Sequence, residues 1–322
     1  MSYVRPWRPL VAALALVSGL SACGGGGSDD AGGVSAGTPA ASTPPATGTV
    51  TPGANAPTQT NNIAVDGRNW INYRRSQIGV PVVTENAQIN NAALGHSEYL
   101  RTNNLMSHDQ VAGRPGFTGA TLSDRLKAAG YTLPSSGYAF GEIISGTTNN
   151  SGFFMAEELV TAIYHRFVMF EPMFREIGTG AATASSGYNY LTADFATRNG
   201  YGAGIASNTV VTWPFNGQTQ VVPNFFSNTE QPDPVPDRNE VGYPISVHAN
   251  LDAALTVTGF SVRPRGGAAL DVLRIDPLSN GSKSAASIIP LQPLRAATTY
   301  DARFAGTING TAVTREWSFT TR

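Results

Sequence analysis

Residues 85–108 read ENAQINNAALGHSEYLRTNNLMSH, and this stretch decides the fold of the first half of the chain. One side of it is formed by residues at the i, i+3, i+4 and i+7 offsets of a helix, namely Ile89, Ala92, Ala93, His96 and Leu100. This spacing predicts a buried helix over residues 85–104, followed by the dipeptide Ser107-His108. Because His96 lies on the apolar face, we interpret it as a core histidine rather than as a ligand.

The segments around this helix predict a mixed domain. Helical spacing, with capping and stop signals, predicts further helices over residues 66–78, 123–130 and 155–170. Alternating side chains predict strands over residues 177–182 and 188–196. Helices followed by a few late strands are typical of an α+β layer domain rather than of regular βαβ units.

A second unit begins after a proline-rich boundary, which is marked by Pro232, Pro234, Pro236 and Pro244. Only strand patterns follow it, so we divide the folded chain into a helical domain over residues 61–230 and an all-β domain over residues 235–322. Asn309-Gly310 predicts a type I′ hairpin between the last two strands. Tyr300 opens a strand where a tyrosine corner would lie, and the unit resembles a bacterial immunoglobulin-like β-sandwich.

The N-terminus has the features of an export signal. Two arginines precede an apolar run over residues 10–20, which is too short to span a bilayer. The run ends in Leu20-Ser21-Ala22-Cys23, which resembles the lipobox of bacterial lipoproteins, where the cysteine is acylated. We therefore expect a signal peptide over residues 1–22 and a lipid on Cys23. The alternative is an ordinary signal peptide cleaved at the same place, with the cysteine incidental.

The residues that follow predict a spacer and a location. Residues 23–60 are rich in Gly, Ser, Pro and Thr and contain no aromatic side chain, so nothing offsets the entropy lost on ordering them. This disordered linker would lift the folded part away from a membrane bound through the lipid on Cys23. The expected location is the bacterial cell envelope, at the periplasmic or surface side of the outer membrane.

Charge and cysteine content exclude two classes of protein. Without residues 1–22 the chain has 19 basic and 22 acidic residues, a net charge of −3, which is too weak to recruit nucleic acid. The single cysteine has no intrachain partner, so disulfides cannot hold the fold together.

The chemistry of the first domain is concentrated in histidines and glutamates. His108 follows a helix end, His165 lies within a predicted helix, and Glu142 and the pair Glu157-Glu158 lie between them. Two imidazoles and two carboxylates suit a divalent metal such as zinc, and they also suit general acid–base chemistry near neutral pH. The spacing does not match HExxH, and the sequence alone does not bring these residues together.

An ordered series of motifs resembles the CAP superfamily of cysteine-rich secretory, antigen-five and pathogenesis-related proteins. The matching positions over residues 63–200 include Asn72-Tyr73-Arg74, Gly79, Asn86, Ala92-Ala93, His96-Ser97, Ser107-His108, Arg125, Gly130-Tyr131, Gly141-Glu142, His165-Arg166, Pro172 and Ile177-Gly178-Thr179-Gly180. The resemblance implies an α-β-α sandwich whose cleft carries two histidines and two glutamates. It also implies links to sterol or fatty-acid binding, to metal binding and occasionally to proteolysis.

The resemblance assigns the cleft residue by residue. His108 matches the Ser-His motif, and Glu142 matches the Glu-Asn motif, although Ile143 stands in place of the asparagine. His165 matches the Gly-His motif with Tyr164 in place of the glycine. The fourth position is Glu157 or Glu158. We favour Glu158, because seven residues along one continuous helix return it to the face of His165.

Three functions are compatible with this sequence. In the first, the cleft binds a small apolar or amphipathic molecule, with a metal held by His108 and His165 as a possible aid. In the second, the protein is a metal-dependent hydrolase of envelope material, but no GxSxG motif or other nucleophile is evident. In the third, the protein is structural or adhesive and makes its contacts through the immunoglobulin-like domain. A buried polar network that only locks the cleft is a separate alternative for the four cleft residues. We place ligand binding first and leave catalysis open.

Overall fold

The computed structural model of the protein describes residues 20–22, 53, 55–279 and 282–322. Cys23, most of the predicted signal peptide and most of the predicted linker lie outside these residues. The helices are α1 (Ile63–Gln77), α2 (Ala87–Asn103), α3 (Leu122–Ala128), α4 (Gly152–Thr161) and α5 (Ile163–Met169). The first strands are β1 (Leu20–Ala22), β2 (Thr84–Glu85), β3 (Ala139–Thr147), β4 (Glu176–Thr183) and β5 (Asn189–Thr197). None of the helices in this described part is both long and apolar enough to cross a bilayer.

These elements form the α-β-α sandwich that the sequence predicts. The sheet has the order β1-β3-β5-β4-β2, with antiparallel pairing among β3, β5 and β4 and parallel pairing at both edges. Neighbouring residues of β5 contact helices on opposite faces of the sheet. Thr192 hydrogen-bonds Ser97 of α2, whereas the Leu191 side chain lies against Gly67 of α1. Helices α2 and α3 cover the first face, and α1, α4 and α5 cover the second.

Helix α2 lies directly on β4 because two glycines remove the side chains between them. A Cβ atom on Gly178 would overlap the backbone of Ile89 and Asn90, and a Cβ atom on Gly180 would overlap the backbone at Leu94. The amide of Thr179, between these glycines, donates a 2.8 Å hydrogen bond to the Asn90 side chain. The Gly-Thr-Gly motif therefore fixes how closely the helix approaches the sheet.

Most of the remaining strands build a β-sandwich. The remaining strands are β6 (Val211–Trp213), β7 (Gln218–Val221), β8 (Asn224–Phe226), β9 (Glu240–Gly242), β10 (Ile245–His248), β11 (Leu255–Pro264), β12 (Val272–Ile275), β13 (Ala285–Pro290), β14 (Thr299–Ile308) and β15 (Thr311–Thr321). One sheet has the order β12-β13-β10-β6 and the other β11-β14-β15-β7, and β8 and β9 form a separate antiparallel pair. The predicted turn is confirmed, because Asn309 and Gly310 both have positive φ and join β14 to β15. The Tyr300 hydroxyl accepts a 2.7 Å hydrogen bond from the Arg295 amide.

The boundary between the two units differs from the division expected at residues 230–235. Strands β6 and β7 precede that point, yet each is hydrogen-bonded into one sheet of the sandwich. Trp213 of β6 is fully buried against Phe170, which directly follows α5. A single apolar cluster runs from Trp70 in α1 to Phe304 in β14. The proline-rich segment therefore lies within a jointly packed body and does not separate two bodies.

The predicted helix over residues 155–170 is two helices. Helix α4 ends at Thr161, and Ala162 has an extended backbone with φ −72° and ψ 124° before α5 begins. The second helix therefore has its own N-terminus. Because the helix is interrupted, the seven-residue spacing between Glu158 and His165 does not place both side chains on one face of a continuous helix.

Candidate functional site

Glu142 is the centre of a buried polar cluster on β3. Its side chain is 2% exposed. Its Oε1 atom lies 2.8 Å from Nδ1 of His108, and its Oε2 atom accepts a 2.6 Å hydrogen bond from Nη2 of Arg125. Arg125 also donates through Nη1 to the backbone carbonyl of His108, at 2.8 Å. One arginine thus holds both the carboxylate and the loop that carries the histidine.

Charge keeps Glu142 ionised. Burial alone would raise its pKa. The charge of Arg125, together with the interactions with His96 and His108, outweighs the effect of burial, so the pKa of Glu142 lies below its usual range. Asp194 lies directly opposite in the antiparallel register, is fully buried, and has no hydrogen-bond partner on either carboxyl oxygen. Burial and the charge of Glu142 raise the pKa of Asp194 well above its usual value. Asp194 is therefore a buried carboxyl group whose ionisation the neighbouring Glu142 opposes.

His96 has both ring nitrogens occupied, as expected for a core histidine. Its Nε2 atom lies 2.9 Å from the Ser107 carbonyl, and its Nδ1 atom lies 3.0 Å from the Gln110 amide nitrogen. A carbonyl can only accept and an amide nitrogen can only donate, so the proton is on Nε2. Burial lowers the pKa of His96 to about 4, which makes the ring neutral at pH 7.

His108 has the opposite arrangement. Because Glu142 is ionised, Nδ1 of His108 donates the proton between them, so that in the neutral form of the ring Nε2 is an unprotonated acceptor. This Nε2 atom is buried and has no hydrogen-bond partner. The side chain as a whole is 12% exposed. The carboxylate thus orients the ring and leaves one nitrogen free to accept.

His165 repeats this arrangement with a different glutamate. Its Nδ1 atom lies 3.0 Å from Oε1 of Glu230, a fully buried residue outside the predicted set. The Glu230 carboxylate also accepts from the backbone amides of Ile163, Tyr164 and His165. Because the Glu230 carboxylate can only accept, its hydrogen bond with Nδ1 of His165 requires a proton on Nδ1. The buried Nε2 atom again has no partner.

The two glutamates considered for the fourth position have different surroundings. Glu157 accepts hydrogen bonds from Nε1 of Trp70 at 2.7 Å and from the Arg74 guanidinium at 2.8 Å, so it faces α1. The carboxyl group of Glu158 has no hydrogen bond within the described residues, and burial raises its pKa to about 7. Its backbone carbonyl accepts from the Ala162 amide at 3.0 Å. Of the two, Glu158 is the carboxyl group left free for a ligand.

Replacing each of these glutamates with glutamine is expected to change stability in opposite directions. E157Q removes the countercharge of Arg74 and should lower the free energy of unfolding at pH 5 and at pH 8. Glu158 has a folded pKa of about 7, above its unfolded value near 4.5, so its contribution to stability is lost as pH rises between them. E158Q should therefore gain stability over wild type by roughly 1.4 kcal/mol per pH unit in that window.

Urea unfolding at pH 5, 6, 7 and 8 measures this contrast. Because the two positions are adjacent and the substitution is identical, each variant serves as the control for the other. A constant difference between E158Q and wild type across the series would contradict the desolvated state of Glu158.

The predicted four residues do not form one preformed metal centre. Glu142 binds His108 and Glu230 binds His165, each through Nδ1. Within the described ranges, no group of three or more His, Cys, Asp or Glu side chains could hold a metal ion. Zinc sites in proteins normally use three or four such ligands. The residues present therefore do not fit the expected zinc site at His108 and His165, and we assign no chemical step to a metal.

Comparison with known proteins gives the following matches. The family model described as CAP, the cysteine-rich secretory protein family, matches residues 69–195. A solved extracellular protein containing an SCP domain from Bacillus anthracis str. Ames is 24% identical, with 48% of this chain and 45% of that chain covered and a TM-score of 0.35. An outer surface protein from Borrelia burgdorferi is 11% identical, with coverages of 41% and 90% and a TM-score of 0.35. The chain thus spans less than half the length of the B. anthracis protein. No curated protein matches the chain.

Proposed function

Residues 69–195 are a domain of the CAP family, as the motif series predicts, and from that premise we propose that the protein binds a small amphipathic molecule that carries a hydroxyl group. One observation carries the proposal. Two histidines, the half-buried His108 and the buried His165, are each held through Nδ1 by a glutamate, and each has a buried Nε2 atom with no partner. A buried polar atom without a partner costs about 1–3 kcal/mol, which a ligand that satisfies it recovers.

The chemistry of these atoms selects the polar group of the ligand. An unprotonated Nε2 atom accepts hydrogen bonds, so the ligand must donate one, as a hydroxyl group does. A ligand carboxylate offers only acceptors and would lie near the charges of Glu142 and Glu230. The site therefore favours an alcohol over a fatty acid.

Apolar side chains near the end of β3 suit the body of such a molecule. Met106 and Tyr188 meet above Gly146, where a Cβ atom would lie 2.9 Å from the Met106 sulfur and 2.8 Å from the Tyr188 hydroxyl. Both are partly buried against an apolar cluster that includes Ile144 and Tyr190. Helix α5, which carries His165, packs on β3, the strand of Glu142. We propose that the loop after α2, which carries His108, and helices α4 and α5, which carry Glu158 and His165, approach β3 from opposite faces of the sheet and line one cleft at that side.

Binding of two fluorescent lipids tests this function. Dehydroergosterol carries a hydroxyl group and cis-parinaric acid carries a carboxylate, so we expect the sterol to bind at least tenfold more tightly. H108A removes one acceptor, and the loss of one hydrogen bond should weaken sterol binding about tenfold. E316Q, which alters an exposed glutamate of β15, is the control and should bind as wild type does. Equal affinity for the two lipids, or sterol binding unchanged by H108A, would contradict the proposal.

We further propose that the protein acts at the bacterial envelope, held at the periplasmic or surface side of the outer membrane by lipid on Cys23. The lipobox-like sequence that ends at this cysteine and the spacer after it support the proposal. Lipoprotein anchoring uses several acyl chains, which hold a protein far more firmly than one chain does. C23S should therefore move the protein from the detergent phase to the aqueous phase in a Triton X-114 partition. Equal partitioning of the variant and the wild type would end the anchoring proposal.

A further inference from the structure

We propose that Glu230 is a positioning residue of this site, supplied by the segment that follows the family-matched region. It fixes the tautomer of His165 and couples the site to the C-terminal β-sandwich. This inference rests on the proposed function only where ligand affinity is concerned, because the position of His165 does not depend on which ligand binds.

The Glu230 carboxylate is the meeting point of four donors from one short stretch. Its Oε2 atom accepts from the Ile163 amide at 2.8 Å. Its Oε1 atom accepts from the Tyr164 amide at 2.6 Å, the His165 amide at 3.2 Å and Nδ1 of His165 at 3.0 Å. The same carboxylate thus holds the backbone and the ring of His165 together. This contact also explains why the helix breaks at Ala162, since these amides would otherwise donate within one continuous helix.

Glu230 is itself held in place by the β8–β9 hairpin. The amide of Glu230 donates to the Ser227 carbonyl at 3.1 Å. Ser227 is fully buried, and its hydroxyl donates to the Arg238 carbonyl at 2.6 Å. Side chains of this hairpin and of its loop pack in one apolar cluster with α5 and the sandwich, namely Phe225, Val235 and Val241 with Ile163, Phe167 and Ile289. The position of the carboxylate is therefore set by the C-terminal half of the chain.

The neighbouring residue makes a second link to the sandwich. Arg166 is fully buried and donates through Nη1 to the Pro244 carbonyl at 2.7 Å and to the Ser246 hydroxyl at 3.3 Å. Its guanidinium lies 5.0 Å from the Tyr243 ring centre. Two consecutive residues of α5 thus contact the C-terminal unit. A disturbance of the sandwich near Glu230 or Pro244 is transmitted directly to His165.

A carboxylate is required because every group around it donates. A glutamine at this position would keep its one carbonyl oxygen toward the three donors of Oε1, which include Nδ1 of His165, so it would not release the ring. E230A removes both oxygens and should therefore release Nδ1 of His165 and permit the Nε2–H tautomer, which removes the acceptor from the site. E240A is the matched control, because Glu240 lies in the same hairpin but is exposed and contacts Asn224.

The test measures the histidine tautomers of the 15N-labelled protein by two-bond 1H–15N correlation, together with dehydroergosterol affinity. In wild type and E240A we expect a protonated Nδ1 on His165. In E230A we expect a mixture of tautomers at His165, an unchanged His108, faster hydrogen exchange at the amides of residues 163–165, and an about tenfold loss of sterol affinity.

Each outcome decides the inference. A protonated Nδ1 on His165 that persists in E230A would overturn it. So would a shifted tautomer with wild-type sterol affinity in E230A, provided that H108A weakens binding. If the wild type binds no sterol, the proposed function fails, but the tautomer still decides the role of Glu230. If E230A does not fold, the wild type decides alone, because an Nε2–H tautomer at His165 would contradict the contact.

Discussion

E142Q is expected to lower the free energy of unfolding by about 3–5 kcal/mol at pH 7, because it leaves Arg125 buried without its countercharge. Arg125 is 1% exposed, and Glu142 is the carboxylate that faces its Nη2 atom. The glutamine would also place an NH2 group against Nδ1–H of His108 or against the guanidinium. Urea unfolding of wild type and variant measures the difference.

E316Q is the matched control for this experiment. Glu316 also binds an arginine, Arg303, but both side chains are more than half exposed, so the substitution should change stability by less than about 1 kcal/mol. The pH dependence adds a second check. The pKa of Glu142 is lower in the folded state, so its contribution is complete above the unfolded value near 4.5 and is lost as pH falls below it. A loss of less than about 1 kcal/mol for E142Q would contradict the buried cluster.

G178A is expected to destabilise the protein by about 3 kcal/mol, at the upper end of the usual cost of overpacking. The added methyl group would overlap the backbone of Ile89 and Asn90 in α2, and a helix backbone cannot move aside as a flexible side chain does. Relief requires α2 to move away from β4. Because the loop after α2 carries His108, we also expect sterol binding to weaken in the fraction that remains folded.

G259A is the control for this prediction. Gly259 lies in β11, and a Cβ atom there would have no heavy atom within 4 Å. The same substitution should therefore change stability by no more than about 0.5 kcal/mol. Thermal unfolding of both variants at one pH compares them. Equal melting temperatures would show that the α2–β4 approach is looser than the glycine contacts indicate.

Local sequence signals predicted those parts of the fold that depend on neighbouring residues. Helix α2 follows from a periodic apolar face, and the structure begins it at Ala87, capped by Asn86. The β14–β15 turn follows from Asn309-Gly310, because this dipeptide tolerates a positive φ at both of its residues. The motif series also placed His108 and Glu142, which lie within hydrogen-bond distance although 34 residues separate them.

Long-range contacts explain what the sequence did not predict. The break at Ala162 depends on Glu230, which is 65 residues beyond His165, and no local stop signal marks it. Strands β6 and β7 have only three and four residues, too few to show a clear alternation. Asp194 lies in a strand whose residues are buried on both faces, so its pattern does not distinguish a site residue from the core. Pairing across the sheet places it beside Glu142.

The tautomers of His96, His108 and His165 in the unmodified protein decide whether the site offers two free acceptor nitrogens. We expect a proton on Nδ1 at both His108 and His165, with Nε2 left as an acceptor, and a proton on Nε2 at His96, where Ser107 accepts it. His96 thus serves as an internal reference of opposite sign in the same spectrum. A two-bond 1H–15N correlation at pH 7 distinguishes these states. A proton on Nε2 of both His108 and His165 would contradict the account, because neither ring could then accept a hydrogen bond from a ligand hydroxyl.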